Sequence, residues 1–150
     1  MEEAREDYSS ISAVVLAAGQ SLRMGTPKMV LPWQGHSIIW QVVNTLSQAG
    51  VKDIVVVTGG AREQVESALS GTAARFSHNP DYDHTEMLHS LQIGIQNLPE
   101  TCQALLVVLG DQPMIEENVI RAVVSQYLAT QASLVIPSYQ MHRGHPWLVG

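Results

Sequence analysis

Short apolar runs alternate along this chain with longer segments in which apolar residues recur at helical spacing. Three runs, at residues 11–18, 53–57 and 104–109, are rich in Val, Ile and Leu, and each is followed by glycine within two residues. Runs of this length predict strands buried on both faces, as in a parallel sheet. Weaker patterns predict strands at 74–78 and 134–136, and an extended segment begins at 147–149.

The segments between these runs have apolar residues on one face of a helix. They predict helices at residues 36–49, 61–70, 86–98 and 116–129. In the third helix, Leu88, Leu91 and Ile95 are expected to face inward. The alternation predicts one α/β domain over residues 11–150, with a mostly parallel, twisted sheet and helices on both faces. Residues 1–10 are acidic and are expected to form a mobile N-terminal segment.

Composition excludes several classes of protein. The chain has 150 residues and a hydrophobic fraction of 45%, which is typical of a globular domain rather than a disordered one. A net charge of −6 argues against binding to nucleic acid, which needs many basic side chains. No apolar run reaches about 18 residues, and the N-terminus lacks the apolar core of a signal peptide. These two features predict that the chain does not associate with membranes. Its one cysteine, Cys102, fits a reducing compartment, so the chain is expected to be cytoplasmic.

Two polar segments follow strands that are expected to be neighbours. Residues 19–28 follow the first strand, and residues 110–113 follow the fourth, which has the strongest strand pattern. In a common doubly wound order these two strands are adjacent, and ligands bind beyond the carboxyl ends of the strands. We therefore expect the two segments to face each other across one crevice.

The first polar segment has the residue types of a phosphate-binding loop. Gly19 and Gly25 allow tight turns, and successive backbone N–H groups in such turns bind anions. Arg23 offers a planar guanidinium and Lys28 a compact charge for phosphate oxygens. The segment is neither a Walker A loop nor a G-x-G-x-x-G fingerprint. These residue types fit equally well a plain strand-to-helix turn with two solvated basic side chains.

Asp111 places a carboxylate at the tip of the fourth strand. A carboxylate in this position suits Mg²⁺, which takes oxygen ligands and is commonly shared with substrate phosphates. The alternative is that Asp111 only opens the turn before Pro113. The histidines at 36, 78, 84 and 89 are scattered and have no metal-binding spacing, so they are interpreted as surface or core residues.

Residues 16–28 resemble the signature Leu-Ala-Ala-Gly-x-Ser-x-Arg-Met-Gly-x-x-Lys of the MobA-like nucleotidyltransferases. The resemblance is strongest to the branch of molybdenum cofactor cytidylyltransferases. Four further segments resemble this branch in the same order, and the resemblance covers essentially residues 11–149. They are residues 79–82 (Asn-Pro-Asp-Tyr), 87–91 (Met-Leu-His-Ser-Leu), 109–113 (Leu-Gly-Asp-Gln-Pro) and 143–146 (Arg-Gly-His-Pro).

The resemblance implies a Rossmann-like nucleotidyltransferase fold whose 16–28 loop wraps the triphosphate and base of a nucleotide. Ala18 stands where guanine-using relatives have glycine, which implies CTP. The implied reaction transfers CMP to the phosphate of a molybdopterin-type molybdenum cofactor and releases pyrophosphate. A molybdoenzyme or its chaperone is the implied protein partner. Two alternatives stay open: a CTP-dependent transferase for a sugar or polyol phosphate, and a nucleotide-binding module without catalysis.

The resemblance also assigns roles to individual residues. Catalysis is assigned to Arg23, Lys28 and Asp111, with Mg²⁺ held by Asp111. The acceptor substrate is assigned to Arg143, Gly144, His145 and Pro146. The residues implied to bind the nucleotide are Leu16, Ala17, Ala18, Gly19, Ser21, Arg23, Met24, Gly25, Lys28, Asn79, Ser90 and Asp111.

Two features depart from the family pattern. Glu86 stands where relatives usually have glycine, and a carboxylate there would repel a triphosphate unless it points away or meets a metal. Relatives also continue beyond the position of Gly150, with a segment that carries another acidic metal ligand. The domain is therefore expected to be short at its C-terminus, with one strand edge and some apolar surface uncovered.

Overall fold

A computed structural model describes residues 6–19, 22–23, 25–82, 87–139 and 142–150. The helices are α1 (Ile38–Ala49), α2 (Arg62–Ala68), α3 (Met87–Gln96) and α4 (Glu117–Thr130), and a 3-10 turn spans Lys28–Val30. The longer strands are β1 (Ile11–Ala17), β6 (Asp53–Thr58), β7 (Arg75–His78), β8 (Ala104–Leu109) and β12 (Trp147–Val149). The two-residue strands are β2 (Leu22–Arg23), β3 (Thr26–Pro27), β4 (Pro32–Trp33), β5 (His36–Ser37), β9 (Leu134–Val135), β10 (Ser138–Tyr139) and β11 (His142–Arg143).

The main sheet has six strands in the order β7-β6-β1-β8-β12-β9. β7, β6, β1 and β8 run parallel, and β12 is antiparallel to both of its neighbours. The predicted mostly parallel sheet is therefore confirmed. β1 and β8, the first and fourth of the predicted strands, are neighbours, and Leu16 lies opposite Leu109 at their carboxyl ends. This register brings the two polar segments to the same edge of the sheet.

Helices cover both faces of the sheet, as predicted. On one face α1 and α4 enclose the larger core, in which Val15 and Leu106 of the strands pack with Val42 and Val124 of the helices, all fully buried. On the other face α3 lies over β1 and β6. Because the side chains of each strand alternate between faces, β1 contributes to both cores.

The predicted inward face of α3 is wrong for two of its three residues. The Leu88 side chain is 62% exposed and that of Ile95 is 42% exposed, while Leu91 is half-buried. The residues that α3 buries against the sheet are Ser90 and Gly94. A Cβ atom added to Gly94 would lie 2.5 Å from Val14 Cγ1, so the helix backbone approaches the sheet too closely for a larger residue.

Gly94→Ala should therefore lower the free energy of unfolding, although alanine is the better helix former. Val14 is fully buried and β-branched, so its methyl group has little freedom to move away. Overpacking of this kind costs about 1–3 kcal/mol, against a gain of about 1 kcal/mol in helix propensity. Urea unfolding would measure the difference, with Gln92→Ala on the exposed side of α3 as the control. Gly94→Ala as stable as this control would contradict the close approach.

Residues 6–10 are packed rather than free. The Tyr8 side chain lies against the larger core, beside Gly50, and the Ser10 carbonyl accepts hydrogen bonds from the N–H groups of Gln103 and Ala104. The first five residues lie outside the described part of the chain. These contacts attach Tyr8 and Ser10 to the domain, and the mobility of residues 1–10 stays a prediction.

Apolar side chains are partly exposed beside α3. Trp147 pairs with Val107, and Leu134 pairs with Val149, so these side chains share the sheet face on which α3 lies. Trp147 is 37% exposed and Leu134 is 51% exposed.

Within the described residues no helix is long and apolar enough to cross a bilayer; α4, with 14 residues, falls short.

Candidate active site

A cleft of about 280 Å³ opens at the carboxyl ends of β1 and β8, where the sequence predicted a crevice. Its walls come from both polar segments, from the turn after β7 and from the start of α3. The lining residues are Leu16, Ala18, Gly19, Lys28, Met29, Tyr82, Met87, Ser90, Leu109, Asp111 and Gln112. The walls are therefore mostly apolar, with a few polar groups that converge on one space.

Lys28 and Asp111 face each other at this cleft. Lys28 begins the 3-10 turn that follows β3, and Asp111 is the second residue after the end of β8. The Nζ atom of Lys28 lies 3.7 Å from Oδ2 of Asp111, and the two side chains are 42% and 43% exposed. An ion pair this exposed contributes about 0–1 kcal/mol to folding. Both charges are consequently available for a ligand at little cost in stability.

Gly110 fixes the position of Asp111 against β1. The N–H of Gly110 donates a hydrogen bond to the Leu16 carbonyl, with an N–O distance of 3.0 Å. A Cβ atom on Gly110 would lie 2.9 Å from that same oxygen and 2.9 Å from Cδ1 of Ile39. Glycine is needed here because a backbone oxygen of β1 and a core side chain of α1 leave no space for a Cβ atom. The close packing explains why the 109–113 segment has glycine at this position.

The glycine-rich loop contains a short hairpin of β2 and β3, in which Arg23 pairs with Thr26. Gly25 closes the hairpin with a φ of +79°, a value that favours glycine. Ser21 and Met24 lie outside the described residues, and the role of Arg23 stays a prediction. Leu16, Ala18, Gly19 and Lys28 line the cleft, and their contacts with a nucleotide stay a prediction.

Ala17 does not line the cleft, in contrast to the expectation that it binds nucleotide. It is the last residue of β1 and is 1% exposed. Its side chain belongs to the core under α1, whereas its neighbours Leu16 and Ala18 belong to the core under α3. The alternation of side chains along a strand explains why the three adjacent residues cannot share one face.

Asn79 lies behind the cleft, and Ser90 lies on its wall. Asn79 is fully buried, and its Nδ2 donates a hydrogen bond to Ser90 Oγ at 3.0 Å. Its backbone N–H donates to the carbonyl of Thr58 at the end of β6, at 2.8 Å. The predicted nucleotide contact of Ser90 fits this position. Asn79 itself is buried and does not line the cleft, so its direct contact with a nucleotide stays a prediction.

Five lining residues were absent from the predicted set: Met29, Tyr82, Met87, Leu109 and Gln112. Four of them belong to the segments at 79–82, 87–91 and 109–113 that carried the resemblance, so the signal was present. Met29 has no such signal; it is buried in the 3-10 turn beside Lys28. Glu86, the departure from the family pattern, lies outside the described residues.

The 143–146 segment lies at the same edge of the sheet but outside the cleft wall. Trp147 pairs with Val107, so the residues before it lie at the carboxyl end of β8. The His145 ring stacks on Trp147, with centroids 5.1 Å apart, and Pro146 is buried. Burial lowers the pKa of His145, against a smaller opposing effect of the Val107 backbone, and thus favours the neutral ring. Arg143 pairs with Ser138 in the β10–β11 hairpin. The N–H of Gly144 donates a hydrogen bond to the carbonyl of Pro137, the residue before this hairpin.

Asp111 provides one carboxylate for a metal. The described residues contain no group of three or more His, Cys, Asp or Glu side chains that could hold a metal ion. Mg²⁺ is often bound by one or two carboxylates together with water and substrate phosphates. Among the described residues, the site therefore fits a metal that shares its ligands with the nucleotide.

Comparisons with known proteins agree with this geometry. A GlmU bifunctional protein from Syntrophomonas wolfei is 32% identical over 140 residues, which are 87% of this chain and 29% of that protein. The chain thus spans less than a third of the length of this curated relative. Two solved structures are similar: Rv0371c of Mycobacterium tuberculosis in complex with manganese, and the Methanothermobacter nucleotidyl transferase Mth528.

Rv0371c has a TM-score of 0.76 and 26% identity, over 94% of this chain and 71% of that one. Mth528 has a TM-score of 0.75 and 28% identity, over 95% of this chain and 72% of that one. The family model for the MobA-like NTP transferase domain matches residues 13–150, which include both polar segments and the whole cleft. The chain therefore belongs to the MobA-like NTP transferase family.

Proposed function

We propose that this chain is a Mg²⁺-dependent cytidylyltransferase that transfers CMP from CTP to the phosphate of a molybdopterin-type molybdenum cofactor. The observation that carries the proposal is the cleft itself, in which Lys28 and Asp111 lie 3.7 Å apart at the carboxyl ends of β1 and β8. Family membership supports nucleotidyl transfer. The choice of acceptor rests on the 143–146 segment beside the cleft.

The reaction asks for alignment and charge rather than for a covalent nucleophile. A phosphate oxygen of the acceptor attacks the α-phosphorus of CTP, and the bond to the departing pyrophosphate breaks. The Lys28 ammonium can bind phosphate oxygens and stabilise the charge that develops on them. Arg23 is proposed as a second cation of the same loop.

Asp111 is the proposed ligand of the divalent metal. When bound, Mg²⁺ neutralises phosphate charge and helps to orient the triphosphate. The manganese complex of Rv0371c supports a divalent ion in a related chain. When a nucleotide binds, Lys28 then has to leave its ion pair with Asp111 and pair with a phosphate group instead. This exchange costs little, because an exposed ion pair is worth about 1 kcal/mol at most.

CTP should bind more tightly than GTP. Ala18 lines the cleft and is 7% exposed, so its methyl group occupies space that a glycine would leave to a larger base. Ala18→Gly should shift the preference towards GTP without reversing it. Competition of CTP and GTP for one labelled nucleotide would measure both effects. GTP binding as tight as CTP to the unmodified chain would contradict the assignment of the base.

The acceptor is proposed to lie beside Gly144, His145 and Pro146, with Arg143 as its phosphate ligand. The neutral His145 ring can donate or accept a hydrogen bond without adding charge next to the triphosphate. A molybdoenzyme or its chaperone would take up the product. Because Lys28 and Asp111 act on phosphates rather than on the rest of the acceptor, a sugar or polyol phosphate is the second candidate.

Pyrophosphate release separates these possibilities. The chain is incubated with CTP, Mg²⁺ and one acceptor at a time: the molybdopterin-type cofactor, sugar phosphates or polyol phosphates. Release that requires the molybdenum cofactor supports the proposal, and release with a sugar or polyol phosphate alone supports the second candidate. Tight CTP binding without release with any acceptor would identify a nucleotide-binding module instead.

A further inference from the structure

The hydrogen bonds of Asn79 have a fixed direction. Its Oδ1 atom lies 2.9 Å from the backbone nitrogen of Asp81. A backbone N–H can only donate, so the side-chain atom that faces it must be the oxygen. The other end of the amide, Nδ2, is therefore the atom that faces Ser90 Oγ at 3.0 Å, and it donates.

This direction makes Ser90 the acceptor in its bond with Asn79. A serine hydroxyl has one hydrogen, which rotates to meet an acceptor and turns away from a donor. Within the described part of the chain, no group accepts that hydrogen. Ser90 is 5% exposed and lines the cleft, so the space before its hydroxyl is the cleft itself.

We propose that Asn79 is a positioning residue that holds Ser90 as a hydrogen-bond donor to the cleft. The cleft then selects a ligand that presents an acceptor atom to the first turns of α3. The inference rests on the proposed function, in which this atom belongs to the base of CTP. The proposed effect of Asn79 on the ligand is transmitted through Ser90.

The surroundings of Asn79 keep the amide in this orientation. The side chain is fully buried, and its own backbone N–H is bound to the carbonyl of Thr58. The bond from Asp81 to Asn79 closes a turn of the kind that Asn side chains favour. Rotation of the amide by 180° would place Nδ2 against the Asp81 N–H, two donors face to face.

Asn79→Asp tests the direction with almost no change in shape. A carboxylate still accepts from the Asp81 N–H, so the turn is kept. A carboxylate cannot donate to Ser90, so the Ser90 hydroxyl turns to donate to the new carboxylate and is withdrawn from the cleft. Calorimetric titration with CTP should show affinity reduced roughly five- to tenfold, the effect of about one hydrogen bond.

Asn97 provides a matched control at the other end of α3. Its Nδ2 also donates to a serine, Ser77 Oγ, at 2.7 Å, but this pair lies outside the cleft. Asn97→Asp thus makes the same chemical change to the same kind of pair. It should leave the affinity for CTP unchanged.

Ser90→Ala separates a positioning role from a structural one. This variant should lose CTP affinity by about the same factor, and Asn79→Asp added to it should cause no further loss. A structural role for Asn79 would weaken binding in both backgrounds. Inorganic tripolyphosphate, which has no base, should bind Ser90→Ala and the unmodified chain equally. If Asn79→Asp does not fold, this comparison still tests the donation from Ser90 to the base, without which the inference fails.

The outcomes distinguish this inference from the proposed function. If the unmodified chain binds CTP and Asn79→Asp binds it as tightly as Asn97→Asp does, the inference is overturned and the function stands. Equal losses of CTP and tripolyphosphate affinity in Ser90→Ala also overturn it. An unmodified chain that binds no CTP overturns the proposed function, and the inference with it.

Discussion

Asp111→Asn should reduce the rate of pyrophosphate release from CTP by at least about 100-fold, the scale on which one preorganised electrostatic contact acts in catalysis. The substitution keeps the shape of the side chain and removes the charge that would hold the metal. The exposed ion pair with Lys28 is the main folded-state contact at risk, so the free energy of unfolding should change by no more than about 1 kcal/mol. A large loss of rate with little loss of stability is the signature of a residue that acts on the ligand.

Glu66→Gln is the matched control for this prediction. Glu66 is a partly exposed carboxylate of α2 whose Oε1 lies 3.3 Å from Nε of Arg62, so its substitution also replaces a carboxylate with an amide and breaks an ion pair. It lies outside the cleft and should leave turnover unchanged. Turnover of Asp111→Asn within a few-fold of this control would remove Asp111 from the mechanism. A second carboxylate would then have to be the metal ligand, and Glu86 is the first to test.

The parallel strands could be predicted because their burial produces a continuous run of apolar residues in the sequence. A strand covered on both faces needs apolar residues at every position, and β8 is such a run, with its predicted bounds of 104–109 confirmed. The two-residue strands could not be predicted in this way. β10 and β11 are too short to show any period, and their pairing depends on residues that tertiary structure brings together.

The misassigned face of α3 shows the limit of hydrophobic periodicity. A periodic pattern of large apolar residues indicates which face of a helix can be buried. It does not detect a close helix–sheet contact that small residues such as glycine and serine make. Here Gly94 and Ser90 meet the sheet because β1 and β6 present β-branched side chains that already fill the space. Leu88 and Ile95 consequently stay largely exposed.

The place of the cleft could be predicted, but its walls only in part. Position follows from topology, since β1 and β8 are neighbours and ligands bind beyond the carboxyl ends of such strands. Tyr82 and Met29 reach the cleft from a turn and a 3-10 turn, and the direction of a side chain on such elements has no simple sequence period. The indirect role of Asn79 needed coordinates, because residue type alone does not separate a ligand contact from a support.

Gly59→Ala should lower both stability and nucleotide affinity. Gly59 follows β6 directly, and a Cβ atom there would lie 2.5 Å from the Ala18 carbonyl oxygen, 2.8 Å from Ala18 Cα and 2.8 Å from Tyr82 Cβ. Two of these atoms are backbone and the third is bonded directly to it, so no change of side-chain rotamer relieves the contact. Either the end of β1 or the turn at 79–82 must move. Overpacking at the upper end of its usual range, about 3 kcal/mol, is the expected loss in the free energy of unfolding.

The same substitution should weaken CTP binding by roughly tenfold, the loss of about one well-placed contact, because Ala18 and Tyr82 both line the cleft and cannot both keep their positions. Gly19→Ala is the control for stability, since an added Cβ there meets no atom of the described residues within 4 Å. Gly60→Ala is intermediate: its Cβ would lie 2.9 Å from Cε2 of Tyr82, and the rim of an aromatic ring can turn aside. The expected order of stability is Gly19→Ala, then Gly60→Ala, then Gly59→Ala. Gly59→Ala as stable as Gly19→Ala would mean that β1 and the turn are not locked together, and the proposed selectivity for CTP would lose the rigid wall on which it depends.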